Sequence, residues 1–446
     1  MVDRCPRVHV YPLPRPSWAL GSMWHDVLLP CNVVRPEYCN WWMGPDCTPR
    51  NGSTPPCLSA RAERNVVAKA AGVPLFEPIQ FALERLFLHR ALECNNSAAR
   101  DAEIFVIPFL VGEWYMAMRF GAFRGTNLFA AYTLQIKRWL LQQPSWRRCN
   151  GCDHLLVMGR MSSDFTQRTI FGPGRLAPNL TSGEFAVAHT FWSNTSKWSV
   201  DADACGLYVH RLAGIPYPGA LQPESADELA QWQAFVANRQ RAHLVTLAAG
   251  WRSHRAALLS ACNRSAACNL LTGPDMNTRS VHQAYLNSHF CLQPAGDTPT
   301  RRGFFDSITC GCIPVVTHLS SANYVEFLHT TDGKHTGAPA KTLSAAGVML
   351  VPGAEGEGAL QLEAVLRKVR RVIGDNQRAT MWRVLVYKIL PRVIYSRGSR
   401  ADRPPDAFDV LWERVKRMQT FSTESSERAT SQPVGRGTVR PNCRAY

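Results

Sequence analysis

The sequence predicts an α/β protein with two parallel-sheet domains. Three largely apolar stretches, at residues 102–110, 153–160 and 242–249, have the length and composition of buried parallel strands. Helical patterns separate them, and strands that alternate with helices are typical of parallel sheets. A chain of 446 residues also exceeds the size of one ordinary core, which favours two domains and a tail.

The first half of the chain begins with a short predicted strand at residues 7–13. Residues 14–60 are irregular and rich in Cys, Pro and Trp. Apolar residues then recur every three or four positions, most clearly over residues 79–92, which predicts a helix within 61–100. After the strand at 102–110, an amphipathic helix is expected over 127–143, ahead of the strand at 153–160.

The second domain is expected to start near Arg241, after a linker and helix at 219–240. A further strand is predicted at 348–352 and a helical stretch at 361–390. From about Ser422 the composition becomes rich in Ser, Thr, Arg and Gly, which predicts disorder. The predicted divisions are an N-terminal region at 1–60, a first α/β domain at 61–235, a second at 236–390, C-terminal helices at 391–420 and a tail at 421–446.

The chain is basic, with a formal net charge of +16 and a pI near 9.4. Such an excess suits nucleic acid, an acidic membrane face or an anionic substrate. The arginines are scattered and form no Lys/Arg run of six, so we do not expect nucleic-acid binding. An acidic membrane face and an anionic substrate both stay open as explanations of the charge.

Fifteen cysteines are many for a cytosolic enzyme. Five precede residue 60, and Cys149/Cys152 and Cys262/Cys268 are close pairs, which predicts disulfides. Zinc is the alternative, but the sequence has no second CxxC and no suitably spaced His pair. With five glycosylation sequons, at Asn51, Asn95, Asn179, Asn194 and Asn263, the pattern favours a secretory lumen.

Residues 289–316 carry the most informative pattern, in the order strand, glycine loop, helix, turn and strand. Such a unit leaves backbone N–H groups at the helix N-terminus, where a phosphate can bind. Arg301 and Arg302 lie at that end and suit a diphosphate, because guanidinium groups form paired, charge-assisted bonds with its oxygens. Asp306 is placed to accept from ribose hydroxyls. The alternative is a solvated arginine pair on an ordinary crossover.

The run CLQPAGDTPTRRGFFDSITCGCIPVV resembles the nucleotide-sugar segment of the exostosin-like glycosyltransferase family, in its xyloglucan galactosyltransferase branch, where CLQPPGDS-T-RRS-FDSI-AGCIPV is expected. The segments EIFVIPF, DHLLVMGRMSSDF and GIPYP also resemble that family. Residues 317–346 depart from its pattern, which puts the acceptor side in doubt.

The resemblance implies two Rossmann-like domains facing across a cleft, the GT-B arrangement, with the acceptor on the first domain and the donor on the second. The donor-binding residues it implies are Arg252, Arg255, Gly296, Asp297, Thr300, Arg301 and Arg302, with Asp306 on the ribose. Arginines can stabilise departing UDP without a metal. The spaced pair Asp201 and Asp203 lacks a preceding strand, so we interpret it as a solvated loop.

The family is expected to invert the anomeric centre, which requires one general base. Asp164 and Glu113 each follow a predicted first-domain strand; we favour Asp164. Arg160 and Trp114 are candidate acceptor contacts. Asp153 and His154 lie at the opposite end of their strand and are interpreted as structural.

The predicted activity is transfer of a hexose, galactose preferred, from a UDP-sugar to a polysaccharide or glycoprotein glycan. A catalytically inactive glycan-binding or scaffold paralogue is the alternative; a glycoside hydrolase would need two facing carboxylates that the sequence does not indicate. The resemblance also implies a type II protein of the Golgi lumen with an anchor upstream of Met1, and complexes with other glycosyltransferases.

Overall fold

The structure is a computed structural model that describes residues 6–14, 66–76, 83–94, 97–110, 128–149, 153–159, 189–193, 212–296, 301–317, 343–351, 358–374, 377–399 and 401–413. Its twelve strands are β1 Val8–Val10, β2 Val66–Ala70, β3 Val73–Phe76, β4 Ile104–Val106, β5 His154–Met158, β6 His189–Ser193, β7 Leu212–Gly214, β8 His243–Ala248, β9 Cys268–Leu271, β10 Ser288–Gln293, β11 Ile313–Val316 and β12 Met349–Leu350.

The α-helices of the described residues include α1 Leu83–Glu93, α2 Leu128–Gln142, α3 Pro144–Cys149, α4 Ala226–Ala237, α5 Ala256–Arg264, α6 Thr278–Leu286, α7 Arg302–Thr309, α8 Gly358–Gly374, α9 Gln377–Val384 and α10 Leu390–Val393. Short 3-10 helices lie at Ser253–Arg255 and Gly273–Asp275, and a π-helical turn lies at Leu385–Ile389. Within the described ranges, no helix is both long enough and apolar enough to cross a membrane.

The chain divides into two compact units. The first comprises residues 1–60, 81–215 and 411–446, and the second comprises 61–80 and 216–410. The division therefore falls at Ile215, about twenty residues before the boundary predicted at 235. It also gives residues 61–80 to the second unit, where we predicted the start of the first domain.

The first unit contains a five-stranded sheet in the order β1-β4-β5-β6-β7, with every neighbouring pair parallel. Its strands β4 and β5 lie within the predicted apolar runs, and Ile104, Phe105 and Leu155 are fully buried. The apolar runs thus fold as predicted, because both faces of a parallel sheet are covered.

The second unit contains a five-stranded parallel sheet in the order β12-β11-β10-β8-β9. Its central strands β8, β10 and β11 are mostly buried and mostly apolar, as the sequence indicates for central strands. Two parallel sheets, each with helical crossovers, confirm the predicted α/β class with two Rossmann-like domains.

Helices of the second unit are placed by identifiable sequence signals. Asn277 caps α6: its side chain accepts from Ser280 N, and Ser280 Oγ accepts in turn from Asn277 N. On α4, Trp232 is fully buried, and its Nε1 donates to Thr309 O, which joins α4 to the end of α7. Capping and one long-range hydrogen bond therefore fix the helices around the central crossover.

Two disulfides lie in the second unit. Cys262–Cys268 joins α5 to β9, as expected for that close pair, and Cys291–Cys312 joins the neighbouring strand β10 to the turn before β11. Within the described part of the chain, Cys310 is a free and buried thiol. The second bridge was not predicted, because its cysteines lie 21 residues apart and meet only through strand pairing.

The helix predicted within 61–100 forms as α1 at Leu83–Glu93. Residues 66–76 form an antiparallel hairpin of β2 and β3 that was not predicted. Its turn places Ala71 and Gly72 at φ +51° and +81°. Two successive positive φ angles are typical of a tight hairpin turn, which propensity alone did not indicate.

Candidate functional site

The order of strands in the second unit creates a switch point between β8 and β10. From β8 the chain passes through α5 to β9 on one side, and then returns through α6 to β10 on the other side. The two connections leave the sheet in opposite directions, and open parallel sheets bind ligands at the strand carboxyl ends where this occurs. Gly296, one of the predicted donor-binding residues, follows β10 at that edge.

Arg301 lies at this switch point. Its Nη2 donates to the carbonyl oxygen of Ala248, the last residue of β8, at 2.7 Å. Its Nη1 is also buried, yet it has no hydrogen-bond partner in the described parts of the chain. A buried guanidinium N–H without an acceptor is costly, so an anionic ligand at this edge would satisfy it.

The N-terminus of α7 lies beside the same edge. Arg301 occupies the N-cap position with extended backbone, and its own side chain does not cap the helix; among the described residues, none is seen to cap it. Uncapped N–H groups and the helix dipole both favour an anion. The helix end and Arg301 therefore provide two independent features that suit a diphosphate.

Arg302 and Asp306 form an ion pair one helical turn apart, with Arg302 Nε 3.2 Å from Asp306 Oδ2. Arg302 Nη2 also donates to Thr278 Oγ1 of α6 at 3.2 Å. Asp306 is only 4% exposed, and its other oxygen lies 3.8 Å from His282 Nε2. The carboxylate thus contacts Arg302, and the ribose contact predicted for Asp306 stays a prediction.

A second buried polar pair lies beneath the start of α7. Gln293, the last residue of β10, donates from Nε2 to Tyr285 Oη at 3.1 Å. Burial raises the pKa of Tyr285, which keeps its hydroxyl protonated. A Cβ on Gly303 would lie 2.9 Å from both Gln293 Oε1 and Tyr285 Oη, so the close approach of α7 needs glycine.

Sequence reasoning missed Thr278, His282 and Tyr285. They recur on α6 at intervals of four and three, and all three are buried. The sequence signal that could have identified them is polar residues on the buried face of an amphipathic helix.

The loop after β8 approaches the loop after β10. His254 Nε2 lies 3.2 Å from Ala295 O, which joins them near the half-buried Gly296. Arg252 is exposed, whereas Arg255 is 7% exposed because its 3-10 helix turns the residue inward. The donor contacts predicted for both arginines stay predictions.

Trp251, beside Arg252, has 66% of its surface exposed. It was not among the tryptophans considered as sugar contacts. Its position directly after a strand, between a glycine and an arginine, was the available signal.

Several predicted site residues lie outside the described residues: Asp164, Glu113, Arg160, Trp114, Asp297 and Thr300. The pair Asp201 and Asp203 also lies outside them. Their assignments remain predictions.

Asp153 and His154 are buried in the first unit. His154 Nδ1 lies 2.8 Å from Asp153 Oδ1, and its Nε2 lies 2.6 Å from Tyr11 Oη. His154 also stacks on Phe105 with ring centroids 4.8 Å apart. These contacts agree with the structural interpretation of both residues.

Comparison with known proteins places this site in context. A family model described as the Exostosin GT47 domain matches residues 7–327. The chain belongs to that family. The predicted resemblance is therefore confirmed, and the match includes the crossover that carries Arg301 and Arg302.

Curated relatives of this GT47 chain include three proteins from Arabidopsis thaliana. Xyloglucan-specific galacturonosyltransferase 1 is 26% identical over 92% of this chain and 56% of its own length. Xyloglucan galactosyltransferase XLT2 is 27% identical over 93% of this chain and 75% of its own length. Xyloglucan galactosyltransferase MUR3 is 28% identical over 75% of this chain and 52% of its own length. The chain thus spans only about half the length of two of these relatives.

Among solved structures, Anabaena Alr3699/HepE in complex with UDP-glucose matches 74% of this chain and 80% of its own, with 12% identity and a TM-score of 0.31.

Proposed function

We propose that this GT47 chain is an inverting glycosyltransferase that moves a hexose from a UDP-sugar to a polysaccharide hydroxyl. The observation that carries the proposal is Arg301, which brings a buried, unpartnered Nη1 to the switch point beside the uncapped end of α7. Both features suit the diphosphate of an activated sugar.

The proposed chemistry needs positive charge where the leaving group develops negative charge. The acceptor oxygen attacks the anomeric carbon, the bond from that carbon to the phosphate oxygen breaks, and UDP leaves with the electron pair. Arg301, with Arg302 held against Asp306, supplies fixed positive charge for this step. We therefore propose that catalysis does not require a metal ion.

The acceptor proton must pass to a general base. We propose Asp164, with Glu113 as the alternative, and Arg160 and Trp114 as acceptor contacts. Asp164→Asn should preserve UDP binding and abolish transfer. Full transfer activity in that variant would assign the base to Glu113 or another residue.

The relatives support a xyloglucan-type acceptor and a donor sugar of the galactose series, since their names specify galactosyl and galacturonosyl transfer to xyloglucan. We propose galactose first. The glycosylation sequons and the two disulfides of the second unit support a Golgi lumen location.

The deciding experiment measures UDP release from UDP-galactose, UDP-galacturonate, UDP-glucuronate, UDP-xylose and UDP-arabinose, with xyloglucan oligosaccharides as acceptors. Each reaction is run with and without EDTA, and NMR of the product gives the anomeric configuration. We expect turnover of one UDP-sugar, unaffected by EDTA, with inversion. Absence of turnover together with absence of UDP binding by calorimetry would exclude the proposal.

A further inference from the structure

The carboxylate of Asp306 is buried on α7 with its charge matched by Arg302. Asp306 is 4% exposed, and its Oδ2 lies 3.2 Å from Arg302 Nε. A buried carboxylate is costly unless a cation compensates it. Removing the charge of Arg302 would therefore leave the buried Asp306 carboxylate without the cation that lies 3.2 Å from it.

His282 does not replace Arg302 as the partner of Asp306 while its ring is neutral. His282 Nδ1 lies 2.9 Å from Thr278 O, a carbonyl that can only accept, so Nδ1 carries the proton. In the neutral ring Nε2 then carries a lone pair and no proton, and it lies 3.8 Å from Asp306 Oδ1. Arg302 provides the closer cationic contact.

The other side of the Asp306 carboxylate is closed by backbone. A Cβ placed on Gly219 would lie 3.3 Å from Asp306 Oδ1, so the segment through Gly219 passes directly over that oxygen. Both residues belong to the second unit. A ribose hydroxyl would have to displace this segment to reach the carboxylate.

Among the described residues, Arg302 forms an ion pair with Asp306 through Nε and donates a hydrogen bond to Thr278 from Nη2, while 26% of its side chain remains exposed. A long side chain that is already fixed loses less conformational freedom when it binds a ligand. The position next to the uncapped end of α7 places this fixed cation at the proposed diphosphate site.

We propose that Asp306 is a positioning residue that holds Arg302 in the orientation that binds the donor diphosphate, and that it makes no contact with the ribose. This inference rests on the proposed function. It predicts that loss of the Asp306 charge weakens binding of the diphosphate and leaves binding of the nucleoside unchanged.

The test compares UDP with uridine, which has the same ribose and base but no diphosphate. Calorimetry gives the UDP affinity and saturation-transfer NMR gives the uridine affinity, for the full chain and for Asp306→Asn. Asp227→Asn, the same change at an exposed position on α4, is the matched control. We expect Asp306→Asn to bind UDP about tenfold more weakly, as for one weakened charged hydrogen bond, with uridine unchanged.

A double-mutant cycle tests whether Asp306 acts through Arg302. If it does, Arg302→Gln combined with Asp306→Asn should lose no more UDP affinity than Arg302→Gln alone. Thr278→Val provides a second variant, should Asp306→Asn not fold: it removes the other Arg302 contact and should weaken UDP binding alone.

Equal losses for UDP and uridine would restore the ribose role and overturn the inference. Unchanged UDP affinity in both Asp306→Asn and Thr278→Val would also overturn it. If the unaltered chain bound no UDP at all, the proposed function itself would fail, which is a separate result from either of these.

Discussion

Arg301 Nη2 donates to the carbonyl oxygen of Ala248 at 2.7 Å, and this bond ties the start of α7 to the end of β8. The two elements are 53 residues apart in sequence. The bond fixes a guanidinium at the edge where the strand order reverses, and leaves Nη1 for a ligand.

Arg301→Ala should weaken UDP binding by about 1.5–3 kcal/mol, the range for a hydrogen bond to a charged group. Calorimetry with UDP gives the value directly. Arg264→Ala removes an exposed arginine at the far end of α5 and should leave UDP binding unchanged. Equal UDP affinity in Arg301→Ala and the unaltered chain would contradict the donor assignment.

Gly311→Ala should lower the free energy of unfolding by about 2–4 kcal/mol. Gly311 has φ +61°, and an added Cβ would contact Val236 and lie 3.0 Å from Trp382 Nε1. Gly273 separates backbone strain from steric contact, because it has φ +75° and no described atom within 4 Å of an added Cβ. Gly273→Ala should therefore cost only about 1–2 kcal/mol in urea unfolding. Equal losses would show that the contacts at Gly311 relax freely.

Stability should fall as pH decreases from 6.5 towards 4, in part because of His289. Burial and the neighbouring Arg378 lower the pKa of His289 to about 4, and Arg378 Nη1 lies 2.7 Å from its Nδ1. The unfolded chain takes up this proton near pH 6.5 and the folded chain only near 4, so unfolding is favoured between those values. Urea midpoints measured from pH 7 to 4 should decline less steeply for His289→Gln. An identical slope in both proteins would exclude His289 as a contributor.

Replacing both Cys291 and Cys312 by Ala should lower the free energy of unfolding by roughly 3 kcal/mol, the value for a loop of this length in the chain-entropy model. The measurement is urea unfolding of the oxidised chain against the double variant. Adding a reductant should destabilise the unaltered chain by opening this disulfide. The double variant lacks the disulfide, so it should not show that loss. A variant as stable as the oxidised chain would show that the bridge constrains little.

Much of the fold could be predicted from the sequence, because buried parallel strands are continuous apolar runs, as at Phe105 and Val245. The hairpin at 66–76 could not, since its decisive signal is a turn conformation at Ala71 and Gly72 rather than apolar periodicity. The bridge from Cys291 to Cys312 also depends on which strands become neighbours, which local patterns do not determine.

The candidate site, too, could be predicted only in part from the sequence. The helix start at Arg301 was predictable, because a helix that follows a strand and a glycine loop has a recognisable pattern. The burial of Asp306 and Arg255 was not predicted, since charged side chains are usually exposed. In this protein α7 is buried from Gly303 to Thr309, so its one carboxylate faces inward.

Cys310 is a free thiol two residues before Cys312, which is disulfide-bonded to Cys291. A thiol this close in sequence could exchange with that disulfide if it were reactive. Burial raises the pKa of the Cys310 thiol, and its Sγ lies against the carbonyl oxygen of His282. Since the thiolate is the attacking species in exchange with disulfides, a thiol kept protonated is a poor nucleophile. The folded chain therefore protects its own bond from internal attack, and only unfolding would expose it to rearrangement.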